Sequence, residues 1–120
     1  MKYRSISVHA GTSDGDLEAM IKAKNSDNPV MVYSKTYCPY CSEVKSLFTK
    51  MEVGAKVVEL DTLADGDDVQ AALQGVSGMR TVPQVFIGGT LVGGCDDTVS
   101  AYKSGNLMDM LDAVGVTYKK

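Results

Sequence analysis

Seven consecutive residues, Lys35-Thr36-Tyr37-Cys38-Pro39-Tyr40-Cys41, separate two opposite kinds of pattern. Before them, Pro29-Val30-Met31-Val32-Tyr33 is short, β-branched and free of charge, which reads as a buried strand. After them, Val44, Leu47, Phe48 and Met51 fall at helical spacing and form one apolar face. The chain must therefore pass from strand to helix across these residues, with Cys38 at or just before the first helical turn.

That placement carries chemistry. A thiolate is the nucleophilic form of cysteine, and at its ordinary pKa a free cysteine is mostly protonated at neutral pH. The first turn of a helix offers unpaired N–H groups and the positive end of the helix dipole, both favourable to a thiolate at Cys38. Lys35 adds an ammonium group three residues upstream. Pro39 suits the first turn because it lacks the N–H that would be unpaired there and its φ is already helical. Cys41 lies on the same face, close enough to Cys38 to close a small disulfide. A Cys-x-x-Cys pair beside a βαβ pattern is a redox motif on these grounds.

Two plainer readings compete. A structural zinc site needs four ligands, and beyond the pair the chain offers only Cys95 and His9. A purely structural disulfide would close a tiny loop and constrain little of the unfolded chain. Three cysteines are also too few for a disulfide scaffold, and they fit a reducing compartment. A net charge of −3 gives no support for nucleic-acid or anionic-membrane binding. With 120 residues, 44% of them hydrophobic, the chain can bury the core of one domain. The first thirty residues show neither an apolar signal region nor a membrane-spanning stretch, and no complete transit peptide is expected.

Taken in order, residues 1–12 lack periodicity and read as a flexible arm, leaving 13–120 as a single domain. Ser13 and Asp16 form a short capping box for a helix with Leu17, Met20 and Ile21 on its buried stripe. After the strand and the Cys-x-x-Cys helix, Gly54 turns the chain into a second strand, Ala55–Leu60, which a βαβ unit makes parallel to the first. A helix opens at Asp65-Gly66-Asp67 and buries Val69, Ala72, Leu73 and Val76. Thr81–Ile87 and Thr90–Val92 flank Gly88-Gly89 and read as an antiparallel hairpin. The Asp96-Asp97 pair begins a further helix, and Leu107, Met110, Leu111 and Val114 mark the last one. The expected fold is α/β, a four-stranded mixed sheet with helices on both faces.

This order, together with Cys-Pro-Tyr-Cys, resembles the glutaredoxins, the glutathione-using branch of the thioredoxin-like fold. The likeness spans roughly residues 28–116 and rests on three segments: Lys35–Cys41, Thr81-Val82-Pro83 and Gly93-Gly94-Cys95-Asp96-Asp97. It implies that Cys38 attacks a glutathionylated or disulfide substrate, while Cys41 resolves protein disulfides. It also implies that glutathione, as cosubstrate, is held by Lys35, Tyr40, Gln70, Thr81, Val82, Pro83, Gly94, Cys95 and Asp96. The elementary chemistry agrees. Backbone at Val82, before a cis-proline, can pair with a cysteinyl backbone as an added strand. The helix start after Gly94 offers N–H groups to a carboxylate, and Asp96 can accept from an ammonium. Lys35 and Gln70 can meet the other carboxylate.

Plainer roles stand beside these. Gln70 and Arg80 also read as solvated surface, Asp96 or Asp97 as a helix cap, and Cys95 as a small residue packed beside the site. His9 is assigned nothing. The implied activity is glutathione-dependent thiol–disulfide oxidoreduction on glutathionylated or disulfide-bonded proteins. A thioredoxin-type reductant is the nearest rival, although Trp is absent. A glutathione-ligated [2Fe–2S] scaffold is the other, and Pro39 speaks against it, so no metal is expected. A cytoplasmic monomer is expected, with an organelle open if a presequence has been removed.

Overall fold

The structure, a computed structural model, describes residues 14–120. The expected arm over 1–12, Ser13 of the expected capping box and His9 lie outside the described residues. In chain order the elements are α1 (Asp14–Asp27), β1 (Val30–Ser34), α2 (Pro39–Lys50), β2 (Lys56–Glu59), a 3-10 turn (Leu60–Thr62), α3 (Gly66–Ser77), β3 (Gln84–Ile87), β4 (Thr90–Gly93), α4 (Cys95–Ser104) and α5 (Asn106–Ala113). The sheet order is β2-β1-β3-β4, with β1 and β2 parallel and the other neighbours antiparallel.

The central strands explain why their sequences lack a polar face. Every residue of β1 and β3 is buried. Val30, Val32, Val85 and Ile87 pack on one side against Val44 and Phe48 of α2 and Leu107 and Leu111 of α5. Met31, Tyr33 and Phe86 pack on the other against Leu17 and Ile21 of α1 and Val69 and Leu73 of α3. A strand covered on both faces reads as a continuous apolar run, since alternate side chains enter two different cores. Tyr33 meets the Phe86 ring edge-on at 5.8 Å. Its hydroxyl donates to the Asn25 side chain at 2.6 Å, which pairs the polar tip of a buried aromatic.

Several boundaries differ from the expectation, three of them for a clear reason. β3 begins at Gln84 rather than Thr81, because Pro83 has no N–H for the ladder and the Val82–Pro83 peptide is cis. β2 stops at Glu59, where the 3-10 turn takes over. α4 starts at Cys95 with Gly94 as its N-cap, one residue before the Asp96-Asp97 pair.

Topology alone gathers the three segments that carry the resemblance. In the antiparallel ladder Tyr33 pairs with Gln84, so the chain leaving β1 and the chain entering β3 meet at one end of the sheet. Val85 pairs with Gly93, which brings the end of β4 and the start of α4 to that same end.

Candidate active site

Cys38 is the N-cap of α2, with Pro39 in the first turn. Its φ of −89° and ψ of 118° are extended, as an N-cap requires. The Cys41 backbone N–H donates to Cys38 Sγ at 3.3 Å, so the sulfur takes the place that a Ser or Asp oxygen fills in other caps. Charge on that sulfur would face this helix N–H and the positive end of the dipole. Cys38 is half-buried and Cys41 wholly buried, and both are free thiols. Burial, followed by the hydrogen bond with Cys38, pushes the Cys41 thiol from its ordinary 9.0 up to about 11. The two sulfurs are thus unequal: one can be reached, while the other keeps its proton until it is needed.

The loop carrying Cys38 is anchored from the 3-10 turn that follows β2. The Thr36 N–H donates to Asp61 Oδ1 at 2.9 Å, and the Thr36 hydroxyl donates to Asp61 Oδ2. These bonds, the hydroxyl's first, hold the Asp61 carboxyl below its ordinary range. Asp61 is a residue that the sequence reading missed. Its signal was the parallel register: Ser34 pairs with Glu59, so two residues further along each strand Thr36 comes beside Asp61.

A cleft of about 330 Å³ opens next to the Val82 carbonyl that the Cys38 sulfur faces, with Cys38 itself outside its lining. Of the residues expected to hold glutathione, Tyr40, Thr81, Val82, Pro83, Gly94, Cys95 and Asp96 line it, joined by Asp97. The Cys38 sulfur lies 3.9 Å from the Val82 carbonyl oxygen, a distance at which the protonated thiol can donate weakly. Across the cleft, Asp97 Oδ2 accepts from the Gly94 N–H at 3.2 Å and closes the first turn of α4. Asp97 therefore takes the cap, and the exposed Asp96 carboxylate keeps its place on the cleft wall. Gly93 has a φ of 128°, and a Cβ there would fall 2.2 Å from Asp97 Oδ2, so this turn needs glycine. Cys95 is buried at the rim, and burial, then the nearby Glu43 carboxylate, raises its pKa.

Lys35 and Gln70 stand apart from this lining. Lys35 is half-buried, and its carbonyl accepts from the Cys38 N–H at 3.2 Å. Gln70 lines a separate polar cleft with Asp67, Gln74 and Arg80, and its Nε2 donates to the Arg80 carbonyl at 2.7 Å. A second residue missed from the sequence is Gln84. It is fully buried, and its Nε2 donates to the carbonyls of Met79 at 2.9 Å and Thr81 at 3.0 Å. A lone polar residue at the start of a buried apolar strand was its signal, because such a group needs partners.

The glutaredoxin family model matches residues 30–92, which hold the strand, the Cys-x-x-Cys helix and the hairpin. The chain belongs to the glutaredoxin family. A castor bean glutaredoxin (Ricinus communis) is 50% identical over 99 residues, covering 81% of this chain and 97% of that one. A chloroplastic glutaredoxin-C4 from rice (Oryza sativa) is 48% identical over 99 residues, 81% of this chain and 74% of the relative. Among solved structures, that of a buckwheat glutaredoxin–glutathione complex superposes with a TM-score of 0.84 at 40% identity, covering 91% of this chain and 99% of the other. The fold is thioredoxin-like, and the role of this glutaredoxin is a redox one. Among the described residues no helix is long and apolar enough to cross a membrane.

Proposed function

We propose that the protein is a glutathione-dependent thiol–disulfide oxidoreductase that reduces glutathionyl mixed disulfides and protein disulfides through Cys38 and Cys41. One observation carries the reading: a reachable Cys38 sulfur, capped by a helix N–H, beside a cleft that offers both a backbone edge and a helix start. The buckwheat relative crystallised with glutathione supports the choice of cosubstrate.

The steps balance as follows. The Cys38 thiolate attacks the glutathione sulfur of a mixed disulfide; the Cys38–glutathione bond forms and the substrate thiolate leaves, to take a proton from water. The thiolate of a second glutathione then attacks the glutathionyl sulfur held on Cys38. Glutathione disulfide departs and the Cys38 thiolate is restored. With a protein disulfide, Cys38 first forms a mixed disulfide with the substrate. Cys41 then loses its proton and attacks the Cys38 sulfur, releasing the reduced protein and leaving a Cys38–Cys41 disulfide for two glutathiones to reduce. The Cys41 N–H that donates to the Cys38 sulfur is placed to receive the charge that forms there when Cys38 departs.

In this reading the Val82 N–H and C=O pair with the cysteinyl backbone of glutathione, while Thr81, Pro83 and Tyr40 wall the sulfur. N–H groups at Cys95 and its neighbours, after Gly94, receive the γ-glutamyl carboxylate, and Asp96 accepts from its ammonium. Lys35 and the second N–H of Gln70 reach the glycyl carboxylate. Tyr37 and Tyr40, left 71% and 62% exposed, supply an apolar rim for a protein substrate. Three free cysteines fit a reducing compartment such as the cytoplasm, and the rice relative's name adds the chloroplast as the second place to look.

The test is steady-state reduction of a glutathionylated peptide with glutathione and glutathione reductase, using wild type, Cys38→Ser and Cys41→Ser. Cys38→Ser should lose activity entirely, whereas Cys41→Ser should keep it for this substrate and lose it for protein disulfides. A wild type that ignores glutathione and accepts electrons from thioredoxin reductase would overturn the choice of reductant.

A further inference from the structure

Between α3 and β3, three successive carbonyls accept from side-chain amides. Met79 and Thr81 accept from Gln84 Nε2 at 2.9 and 3.0 Å, and Arg80 accepts from Gln70 Nε2 at 2.7 Å. Ser77 adds a fourth tie, its hydroxyl oxygen accepting from the Met79 N–H at 3.0 Å. The next residue is Val82, whose carbonyl faces the Cys38 sulfur. Gln84 does this from an unfavourable place. It is 0% exposed in the first position of a central strand, and its Oε1 is buried without a partner. An apolar residue would avoid both the desolvation and the unpaired oxygen, at the cost of the donors to the Met79 and Thr81 carbonyls. What the amide does is local: its two N–H groups fix the carbonyls on either side of Arg80 and set where the Thr81–Val82 backbone lies.

We propose that Gln84 is a positioning residue for substrate binding, holding the Thr81–Val82 backbone edge in the cleft through the carbonyls of Met79 and Thr81. Gln70 secures the intervening Arg80 carbonyl from α3. The proposal rests on the reading of that edge as the place where glutathione pairs. It differs from a packing role in what it touches. Substrate binding should weaken when the amide is removed, while the Cys38 sulfur, capped from α2, keeps its reactivity.

The experiment compares wild type with Gln84→Met, which keeps the length of the side chain and removes both donors. With a glutathionylated peptide as substrate, KM should rise about tenfold, the scale of one to two lost hydrogen bonds, with kcat changed by less than about threefold. Alkylation of Cys38 by iodoacetamide at neutral pH should stay within about twofold of wild type, because the helix cap is untouched. An active wild type with an unchanged KM in Gln84→Met would overturn the positioning role alone. A fall in kcat and in alkylation alongside KM would also overturn it, by showing a general collapse of the site. A wild type that does not reduce the peptide would overturn the glutathione reading and this proposal with it. If Gln84→Met does not fold, hydrogen exchange on Cys41→Ser carries the test. The Gln84 side-chain amide protons should exchange more slowly once Cys38 is glutathionylated, since coupling between edge and substrate is reciprocal. Unchanged exchange would overturn the proposal.

Discussion

The two walls of the cleft are held by opposite means. The Cys38 wall is tied by Asp61, an exposed carboxylate that receives the Thr36 N–H and hydroxyl. The Val82 wall is tied by Gln84, a buried neutral amide. A charged anchor in solvent forms strong individual bonds, is screened by salt, and fails when protonated. A buried amide is indifferent to pH and salt, yet leaves polar atoms unpaired if its partner moves. In the proposed mechanism the reacting sulfur therefore sits on the tunable wall, and the recognition edge on the rigid one.

Labelling of the buried sulfur gives the largest expected effect. Cys41 lies behind the tunable wall with its thiol held near 11 rather than 9.0. At pH 8 the folded chain should carry about a hundredfold less Cys41 thiolate than the unfolded one, since each pKa unit is a factor of ten. Mass-resolved alkylation in buffer and in urea should show the folded chain slowed by at least this factor, since burial also bars the reagent. Equal rates would mean that Cys41 is not buried and that the two sulfurs are alike.

At the turn between β4 and α4, across the cleft from both of these walls, Gly93→Ala should destabilise the protein by about 1–3 kcal/mol in urea melts, because a left-handed φ meets a Cβ clash with Asp97. Replacing Asp61 by Asn should be milder. It keeps an acceptor for Thr36 and removes the charge, so turnover should drop by about two- to fivefold at neutral pH. Salt should reproduce part of that loss in wild type and in Gln84→Met, which both keep the charged anchor, and should have little effect on Asp61→Asn.

The smallest effects lie in the pH dependence, and the two groups act at opposite ends. The Asp61 carboxyl is depressed below its ordinary 3.8, so what it adds to stability is complete above that value and is lost as pH falls through the lowered one. The Cys41 thiol is raised, so its contribution is complete below 9.0 and is lost as pH rises toward about 11. Denaturation midpoints of Asp61→Asn should lose part of the acid slope, and those of Cys41→Ser part of the alkaline slope. A swap between the two variants would contradict the assignment of anchors.

The contrast between the walls also marks where the sequence could be read. Val30–Tyr33, Cys38–Cys41 and the Gly88-Gly89 hairpin announce themselves through local pattern: an apolar run, a spacing with one good chemical use, a turn with one good geometry. The order of these elements then leaves few ways to assemble the sheet. Asp61 and Gln84 could not be found that way, since each acts on a partner fixed by register or by a loop's path. Asp61 meets Thr36 across 25 positions of chain, and only the parallel pairing brings them together. Gln84 stands as a lone polar residue before an apolar run, and only the path of the preceding loop shows that its partners are the carbonyls of Met79 and Thr81. The Thr81 boundary was misplaced for a related reason: Thr and Val favour strands, whereas Pro83 withholds the N–H that would extend the ladder.

The most direct test of the account is the identity of the group first transferred to Cys38. Cys41→Ser, mixed briefly with a glutathionylated peptide and quenched with acid, would be digested and examined by mass spectrometry. A cleft that receives glutathione predicts one glutathionyl group on Cys38, free peptide thiol in equal amount, and nothing on Cys95. The peptide itself attached to Cys38, or the adduct found on Cys95, would contradict it.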